Sequence, residues 1–305
     1  MSDKEQLMGG GEVVVYRRRW YILAVFSLLA MFQCCVWNTW GPVVDVASLV
    51  YPAWTQGTLS LLANWASIAF LVFMVPVLYL QNRNLRSAVL LTSSLIALGN
   101  NLKLPIEKIP KYIHVAGTAV RCMFLVFPGI SDSRLTVMYH LGAILNGIPS
   151  IVVTSAPPAV SAAWFPPGER VTATSISQML NNVGTGLSFF LASVMVKEPR
   201  LHSNVSNATC QDKTLDSAHH NISTVSVHEL RQDIQHYLIV LCIPAIVLFV
   251  TSVMYFPSKP PKPPSPSSRE ERLDFVKGTL ELIQNPSSWL LAIVWSIPQV
   301  NRTDQ

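Results

Sequence analysis

A tryptophan, an asparagine and a second tryptophan lie close together where the first long apolar run of the sequence ends. The segment is VWNTWGP, Val36 to Pro42, and the run before it opens at Trp20. An indole face can stack on a planar ring or hold a cation by its quadrupole. An amide that faced lipid would be costly, so we expect Asn38 to face a protein interior with Trp37 beside it. These two side chains predict one wall of a solute-binding site.

Trp40 allows two interpretations. It stands beside Gly41 and Pro42 at the end of the apolar run, and tryptophan is enriched at both surfaces of a membrane. One interpretation is therefore a residue of an aromatic belt at the membrane surface. The other is a second wall of the same site.

Other side-chain amides interrupt later apolar runs, and they predict a polar interior cavity. For each amide the simpler alternative is an interhelical hydrogen bond, worth about 0.6 kcal/mol or somewhat more. Together they suit a neutral polar or weakly cationic solute better than an anion. The amides are Asn64, Asn146, Gln178, Asn181 and Asn182, and the predicted substrate-binding residues are Trp37, Asn38, Asn146, Gln178 and Asn181.

Two ionisable residues inside the apolar runs are functional candidates, because charges at membrane depth are costly. Arg121 is the one basic side chain that accompanies the amides, and the alternative is that it reaches the lumenal headgroups. His140 is a candidate for proton coupling in an acidic compartment, and the favoured alternative is an interior histidine with a hydrogen-bond partner. The cysteines form no CxxC pair, and Cys34, Cys35, Cys122 and Cys242 are predicted core residues.

The elements that must position these residues are membrane helices. Half of the residues are hydrophobic and 13% are charged, whereas a soluble domain carries about 25% charged residues. Runs of roughly 20 apolar residues then predict an all-α polytopic membrane protein whose partner is the lipid bilayer. The predicted helices are Trp20–Trp40, Thr58–Leu80, one from Ser87, Leu135–Ala159 with kinks at its prolines, Val171–Val196, His236–Phe256, and an incomplete seventh from Trp289 to Pro298.

Charge places the chain ends and loops. The loop from Val43 to Gly57 has no Lys or Arg, whereas basic residues gather at the opposite helix ends, which predicts a cytoplasmic N-terminus and no nucleic-acid partner. Three glycosylation sequons fall in the predicted lumenal loop 197–235. The sequon residues are Asn204, Asn207 and Asn221, and the basic ones are Arg17–Arg19, Arg83, Arg86, Arg170, Lys259, Lys262, Arg269 and Arg272.

The predicted domain organisation follows from these helices. Residues 1–19 form a cytoplasmic tail, 20–256 a six-helix bundle, 257–287 a Pro- and Ser-rich cytoplasmic linker, and 288–305 the incomplete seventh helix. Residues 100–116 carry prolines and charges inside helix three, and we expect an aberrant insert there. In the tail, DKEQLM resembles a sorting signal that an adaptor binds, with Asp3, Leu7 and Met8 as its residues. We predict no catalytic residue, metal or cofactor, since HExxH, GxSxG and paired carboxylates are all missing from the sequence.

Three parts of the sequence resemble the major facilitator superfamily. LQNRNLRS, Leu80–Ser87, corresponds to the short basic loop between its helices two and three. WFPPGERVTATS, Trp164–Ser175, resembles the start of helix five in solute carrier family 49. The opening YRRRWYILAVFSLLAMFQCCVWNTWGP, with LNG at Leu145–Gly147 and SQML at Ser177–Leu180, resembles a lysosomal branch of that family.

The resemblance implies the N-terminal six-helix bundle of a major facilitator fold, truncated in helix seven, from a carrier that works by alternating access. It implies a lysosomal membrane, or alternatively the plasma membrane, and a pyridoxine-like, choline-, ethanolamine- or heme-type solute. Trp37 matches the aromatic residue that packs on the substrate in choline-transporting members. Gln81 and Asn84 replace the Asp and Gly of a latch between the two bundles, so that latch is not expected. The alternative function is a truncated membrane fragment that transports nothing.

Overall fold

A computed structural model describes residues 14–102, 132–197, 224–265, 275–290 and 294, and all the regular elements among them are helices. The chain divides into two compact units, Glu12–Pro264 on one hand and Met1–Gly11 with Ser265–Gln305 on the other. The larger unit holds the predicted site residues that the structure describes.

The helices of the larger unit follow the predicted order with different bounds. Two short 3₁₀ turns, Gly41–Val43 and Pro167–Glu169, join neighbouring helices. The helices are α1 (Arg19–Trp37), α2 (Val44–Val50), α3 (Gln56–Arg83), α4 (Leu85–Leu102), α5 (Asp132–Gly147), α6 (Pro149–Ser155), α7 (Pro157–Trp164), α8 (Arg170–Met195) and α9 (Thr224–Met254).

The first helix ends at Trp37 and not at Trp40 as predicted. Asn38 caps it with non-helical backbone angles of φ −88° and ψ 18°. Its backbone N–H donates to the Cys34 carbonyl at 3.4 Å, and the next N–H, that of Thr39, donates to the Val36 carbonyl at 3.2 Å. Pro42 cannot donate a backbone hydrogen bond and fixes its own φ, so the chain turns here before α2 begins. The predicted loop from Val43 to Gly57 is therefore helical over its first half.

The fourth predicted helix is a broken rod. The prolines of GIPS and SAPPAV divide it into α5, α6 and α7, because a proline removes a helical hydrogen bond and clashes with the preceding turn. Pro149 and Pro157 each occupy the first turn of the next segment, where the missing N–H costs nothing. The predicted kinks are confirmed, but the rod continues to Trp164 and does not end at Ala159.

For the remaining helices, hydropathy predicts some ends correctly and others not. Helix α8 matches the predicted Val171–Val196 to within one residue at each end. Helix α9 begins at Thr224 and not at His236, because its first turns are polar and an apolar-run criterion passes over them. The smaller unit contains helix α10 (Phe275–Gln284) in the middle of the predicted linker.

Four helical stretches among the described residues are long and apolar enough to cross a membrane, which makes this a multi-pass membrane protein. Helix α8 is long enough, at 26 residues, but its polar side chains keep it out of this group, and Leu85–Asn100 is a shorter apolar helix. The four are Arg19–Val50, Gln56–Arg83, Thr136–Ser155 and Glu229–Met254.

The packing of the larger unit places the broken rod against four other helices, α1, α3, α4 and α8. Helix α1 packs along α8, while α3 and α4 both pack against α5, and α9 packs on α4. Segment α6 contacts α1, α3 and α4. Gly184 makes the α1–α8 approach close, since a Cβ there would collide with the Met31 carbonyl. At Gly186, by contrast, no atom of the described residues lies within 4 Å of the Cβ position, so this second glycine does not allow a close approach.

Side-chain contacts gather several of the predicted basic residues at one end of the larger unit. Arg18 donates to the Tyr255 hydroxyl at 2.8 Å after the end of α9, and Arg19 forms an ion pair with Glu169 at 2.9 Å before α8. Ser258 donates to the Asn84 side chain at 2.8 Å in the α3–α4 connection. The common end is the arrangement that the charge pattern predicts, and its cytoplasmic orientation stays a prediction.

The residues that stand at the latch positions fasten this unit internally. Ser155 of α6 donates to the Gln81 side chain at 2.7 Å. The Asn84 side-chain oxygen accepts from the Arg86 backbone N–H at 3.1 Å and so caps the start of α4. An Asn in this place satisfies a helix N-terminus as N-caps commonly do.

Candidate functional site

A cavity of about 260 Å³ lies between α1, α3, α6 and α8. Its volume is close to the lower end, about 300 Å³, of ordinary small-molecule sites. Ten side chains line it, and none of them is charged. They are Gln33, Cys34, Trp37, Asn38, Phe70, Ser150, Val153, Thr154, Asn181 and Thr185.

Helix α1 supplies four of these residues because their spacing puts them on one face. Gln33 and Trp37 are four residues apart, as are Cys34 and Asn38, so each pair is separated by about one helical turn. The indole of Trp37 is half-buried at the cavity. The predicted inward orientation of Trp37 and Asn38 is therefore what the structure shows.

Gln33 is a lining residue that our sequence analysis missed. It is 2% exposed, and its Nε2 donates to the Asn146 backbone carbonyl at 2.6 Å. That bond crosses from α1 to α5 and uses one of the two amide hydrogens, which leaves the carbonyl oxygen Oε1, with two lone pairs, and one N–H for a ligand. An amide one turn before Trp37 on an otherwise apolar helix is the signal that could have identified it.

The side-chain amide of Asn38, like that of Gln33, donates to a backbone carbonyl and keeps its oxygen free. Its Nδ2 donates one hydrogen to the Cys34 carbonyl at 3.2 Å, so its Oδ1, with two lone pairs, and one N–H stay free. Both amides of α1 therefore present hydrogen-bond acceptors at the cavity.

The hydroxyls of α6 add acceptors for the same reason. The Ser150 hydroxyl donates to the Gly147 carbonyl, and the Thr154 hydroxyl donates to the Ser150 carbonyl at 2.8 Å. A hydroxyl has one hydrogen and two lone pairs, so each oxygen keeps its acceptor capacity toward the cavity. Four polar lining groups thus favour a ligand that donates hydrogen bonds.

Helix α8 completes the wall with a different chemistry. Asn181 and Thr185 lie one turn apart, and the Thr185 hydroxyl is 3.0 Å from the Cys34 sulfur. For the Asn181 amide no hydrogen bond is found among the described residues, so it can both donate and accept. Among those residues there is also no group of three His, Cys, Asp or Glu side chains that could hold a metal ion.

Trp40 belongs to a separate aromatic cluster, made of Trp40, Tyr51, Trp54 and Tyr139. Its ring centroid lies 5.8 Å from Trp54 and 5.1 Å from Tyr139 in edge-on contacts, and Tyr51 stacks on Trp54 at 4.2 Å. Trp40 is only 4% exposed. A belt residue would lie at the surface, so the belt interpretation of Trp40 is wrong, and neither is it among the cavity-lining residues.

Two predicted substrate-binding residues lie next to the cavity without lining it. Asn146 is 2% exposed; it holds Gln33 through its backbone carbonyl, and its side-chain Nδ2 donates to the Asn100 oxygen at 3.5 Å. Gln178 donates through Nε2 to the Thr154 carbonyl at 3.5 Å. Both support lining residues, so a direct contact with solute is not what the geometry indicates.

Two other amides that we expected in the interior are exposed. Asn64 donates to the Ser60 carbonyl of its own helix at 2.8 Å, and Asn182 lies on the outer face of α8. A local hydrogen bond to the preceding turn satisfies Asn64 without a partner helix.

His140 has a hydrogen-bond partner on a neighbouring helix, as the favoured interpretation requires. Its Nδ1 accepts from the Trp65 indole at 2.7 Å, and the two rings meet edge-on at 6.1 Å. His140 is not a cavity-lining residue. A role in proton coupling stays a prediction.

The predicted roles of several residues fall outside the described part of the chain. The structure describes only the first residues of the suspected insert 100–116, as the end of α4, where Asn100 is buried. The following residues lie outside the described part of the chain altogether: Arg121, Cys122 and Cys210, the sequon residues Asn204, Asn207 and Asn221, and the sorting-signal residues Asp3, Leu7 and Met8.

Comparison with known proteins identifies relatives along most of the chain. The solute carrier family 49 member 4 homolog of Xenopus tropicalis is 31% identical over 284 residues, which make up 93% of this chain and 54% of that protein. The choline/ethanolamine transporter FLVCR1 of Felis catus is 23% identical over 92% of this chain and 42% of its own length. The solute carrier family 49 member A3 of Xenopus tropicalis is 26% identical over 60% of this chain and 35% of its own length.

The chain spans about half the length of the solute carrier family 49 member 4 homologs, with which it is 31% identical. No protein-family model matches it. Over 93% of its length, this chain is a homologue of the solute carrier family 49 proteins, and its long apolar helices make it a multi-pass membrane protein.

Proposed function

We propose that this chain forms the N-terminal six-helix bundle of a major facilitator carrier, which moves a small organic solute by alternating access. The observation that carries the proposal is the uncharged cavity beside Trp37, between four helices and lined by acceptor groups. Solute sites of such carriers lie near the middle of the membrane, between two repeats that rock against each other. The whole carrier's activity belongs to a protein about twice as long as this chain.

The cavity chemistry supports a solute of the pyridoxine, vitamin B6 type. Pyridoxine has a flat ring that can stack on an indole and hydroxyl groups that can donate to Gln33, Asn38 and the α6 hydroxyls. A carboxylate would meet more acceptor oxygens than N–H donors on these groups and no basic side chain, and desolvating it there would be costly. A heme-type substrate is disfavoured for the same reason, since its propionates would find no basic lining residue.

A choline- or ethanolamine-type solute is the alternative substrate. Both carry a cation that an indole face can hold, and the relatives FLVCR1 and FLVCR2 are named as choline/ethanolamine transporters. Ethanolamine adds N–H and O–H donors that suit the acceptor lining, whereas the ammonium of choline has no N–H to donate. The described cavity favours a donor-rich solute over choline.

The lysosomal membrane is the proposed location, with the plasma membrane as the alternative. The resemblance to the lysosomal branch supports it, as do the tail motif with Asp3, Leu7 and Met8 and the sequons at Asn204, Asn207 and Asn221. Lysosomal residence is tested by imaging the tagged protein with and without alanine at the three tail residues. Retention in lysosomes despite those changes would exclude the tail as the sorting signal.

Solute binding tests the proposal on the chain itself. We would place it in lipid nanodiscs and measure binding of labelled pyridoxine, with choline, ethanolamine and 4-pyridoxic acid as competitors. Unlabelled pyridoxine should displace the label, and 4-pyridoxic acid, in which one hydroxymethyl group is a carboxylate, should not. Displacement by the acid as readily as by pyridoxine would contradict the acceptor-lined site.

A membrane fragment that transports nothing is the competing function for this chain. One bundle has no second repeat to rock against, so a chain of this length should bind the solute without moving it. Vesicles carrying the chain should take up labelled pyridoxine no faster than empty vesicles, and the full-length transcript product should exceed both. Sequencing the cDNA decides whether residues 100–116 are retained.

A further inference from the structure

Helix α10 separates apolar from polar side chains around its axis. At 100° per residue, Leu280, Leu282 and Ile283 fall within one half of the helix surface, with Thr279 as the one polar side chain among them, whereas Glu281 and Gln284 fall on the other. The sequence continues this pattern with apolar residues at positions 275 and 276. Such a distribution is typical of a helix that lies at a boundary between an apolar and an aqueous phase.

The apolar side of α10 is open. Leu280 is 51% exposed, Leu282 is 62% exposed and Ile283 is 54% exposed. Isolated exposed leucines are common, but three large apolar side chains within four residues form a patch whose exposure to water is unfavourable. A helix of this length is also marginal without a surface to bind.

A tryptophan stands at the C-terminal end of the helix. The Trp289 indole donates to the Ile283 carbonyl at 2.8 Å, and the ring is 56% exposed. This bond satisfies one of the carbonyls that every helix end leaves free. Tryptophan favours the headgroup region of a bilayer, so its position beside Ile283 indicates the same kind of surface as the leucines do.

Chain continuity brings a membrane surface within reach of α10. Helix α9 ends at Met254 and α10 begins at Phe275, so the joining segment starts where a membrane-spanning stretch leaves the bilayer. That end of α9 lies beside Arg18 and the other basic residues of the larger unit. A cluster of basic side chains at a membrane edge matches a leaflet that contains anionic phospholipid.

From these observations we propose that α10 is an interfacial helix. Its apolar side, Leu280, Leu282 and Ile283 with Trp289 at its end, enters the headgroup layer of the leaflet at the basic end of α9. The ligand of this surface is thus a phospholipid bilayer with anionic headgroups. The binding is independent of the solute cavity.

Depth measurement with a nitroxide tests this proposal on the full chain. We would replace Leu282 in one variant and Glu281 in another by p-acetylphenylalanine, couple a nitroxide to the ketone, and so leave the native cysteines unchanged. Each variant is reconstituted in phosphatidylcholine vesicles that contain phosphatidylserine. Relaxation by oxygen, which concentrates among acyl chains, is compared with relaxation by a water-soluble nickel chelate.

The nitroxide at position 282 should lie about 5–10 Å below the headgroup surface, the usual depth of an interfacial helix. Its oxygen-to-nickel ratio should exceed the ratio at position 281 severalfold. Equal access of nickel to both positions would place α10 in water and overturn the proposal. Protection of position 282 from both reagents would overturn it too, because a protein surface would then cover the apolar side.

Discussion

Trp37 and Trp40 are three residues apart in the sequence, yet one borders a cavity and the other is enclosed in an aromatic cluster. The helix α1 ends between them at Asn38, and the turn at Gly41 and Pro42 redirects the chain. Trp37 keeps the direction of the helix face that also carries Gln33. The comparison teaches that a helix end can separate two roles of one residue type: the tryptophan before it lines a cavity, and the tryptophan after it packs in the interior.

The largest difference should appear in stability. Replacing Trp40 by alanine removes a nearly fully buried ring from contact with Trp54 and Tyr139, which should cost about 3–5 kcal/mol of unfolding free energy. Unfolding by SDS in mixed micelles measures it, and Trp20→Ala, at a ring that is 46% exposed, is the matched control. Equal losses in the two variants would mean that the aromatic cluster is not what stabilises this end of the unit.

At Trp37 we expect a large loss of solute affinity and a small loss of stability. Trp37→Ala should weaken pyridoxine binding by about 1.4 kcal/mol, or roughly tenfold, if the indole stacks on the solute ring. Its unfolding free energy should fall much less than that of Trp40→Ala, because the ring is half-buried beside an open volume. Unchanged affinity with normal folding would remove Trp37 from the site.

The two glycines of α8 sharpen the comparison at the cavity wall. Gly184→Ala places a methyl group against the Met31 carbonyl and should destabilise the α1–α8 packing by about 1 kcal/mol or more. Gly186→Ala meets nothing within 4 Å and should be neutral or slightly stabilising, since alanine favours a helix. Thermal unfolding in detergent separates them, and equal effects would contradict the close approach at Gly184.

A smaller effect than at the two tryptophans of the first comparison should follow from Trp65→Phe. This change removes the indole donor to His140 and should cost about 1 kcal/mol of stability, while solute affinity stays the same because neither ring lines the cavity. Binding is measured at neutral and at acidic pH. A changed pH dependence in the variant would connect His140 to the site and favour its predicted role in proton coupling.

Sequence patterns predicted the elements that depend on apolar length and on proline. Helix α8 and the breaks before Pro149 and Pro157 agree with the prediction, because hydropathy and the missing proline N–H act locally. The early start of α9 and the presence of α10 were missed, since both involve polar residue types that an apolar-run criterion assigns to loops.

The site was predictable in part, for the same physical reason. Trp37, Asn38 and Asn181 were identified because polar or aromatic residues inside apolar runs are unusual. Asn146 and Gln178 meet that criterion too, but they act on Gln33 and Thr154 and do not line the cavity. Which of two polar residues faces the cavity depends on packing between helices that are far apart in sequence.

Cys34 and Cys35 permit the most direct test of the central claim, that this face of α1 borders a solute passage. Cys34 lines the cavity, whereas Cys35 is 0% exposed in the packed interior. In single-cysteine variants, a membrane-impermeant cationic methanethiosulfonate should label Cys34, and pyridoxine should slow that labelling, while Cys35 stays unlabelled. Labelling of both cysteines at the same rate, or of Cys34 only by a lipid-soluble maleimide, would contradict the account.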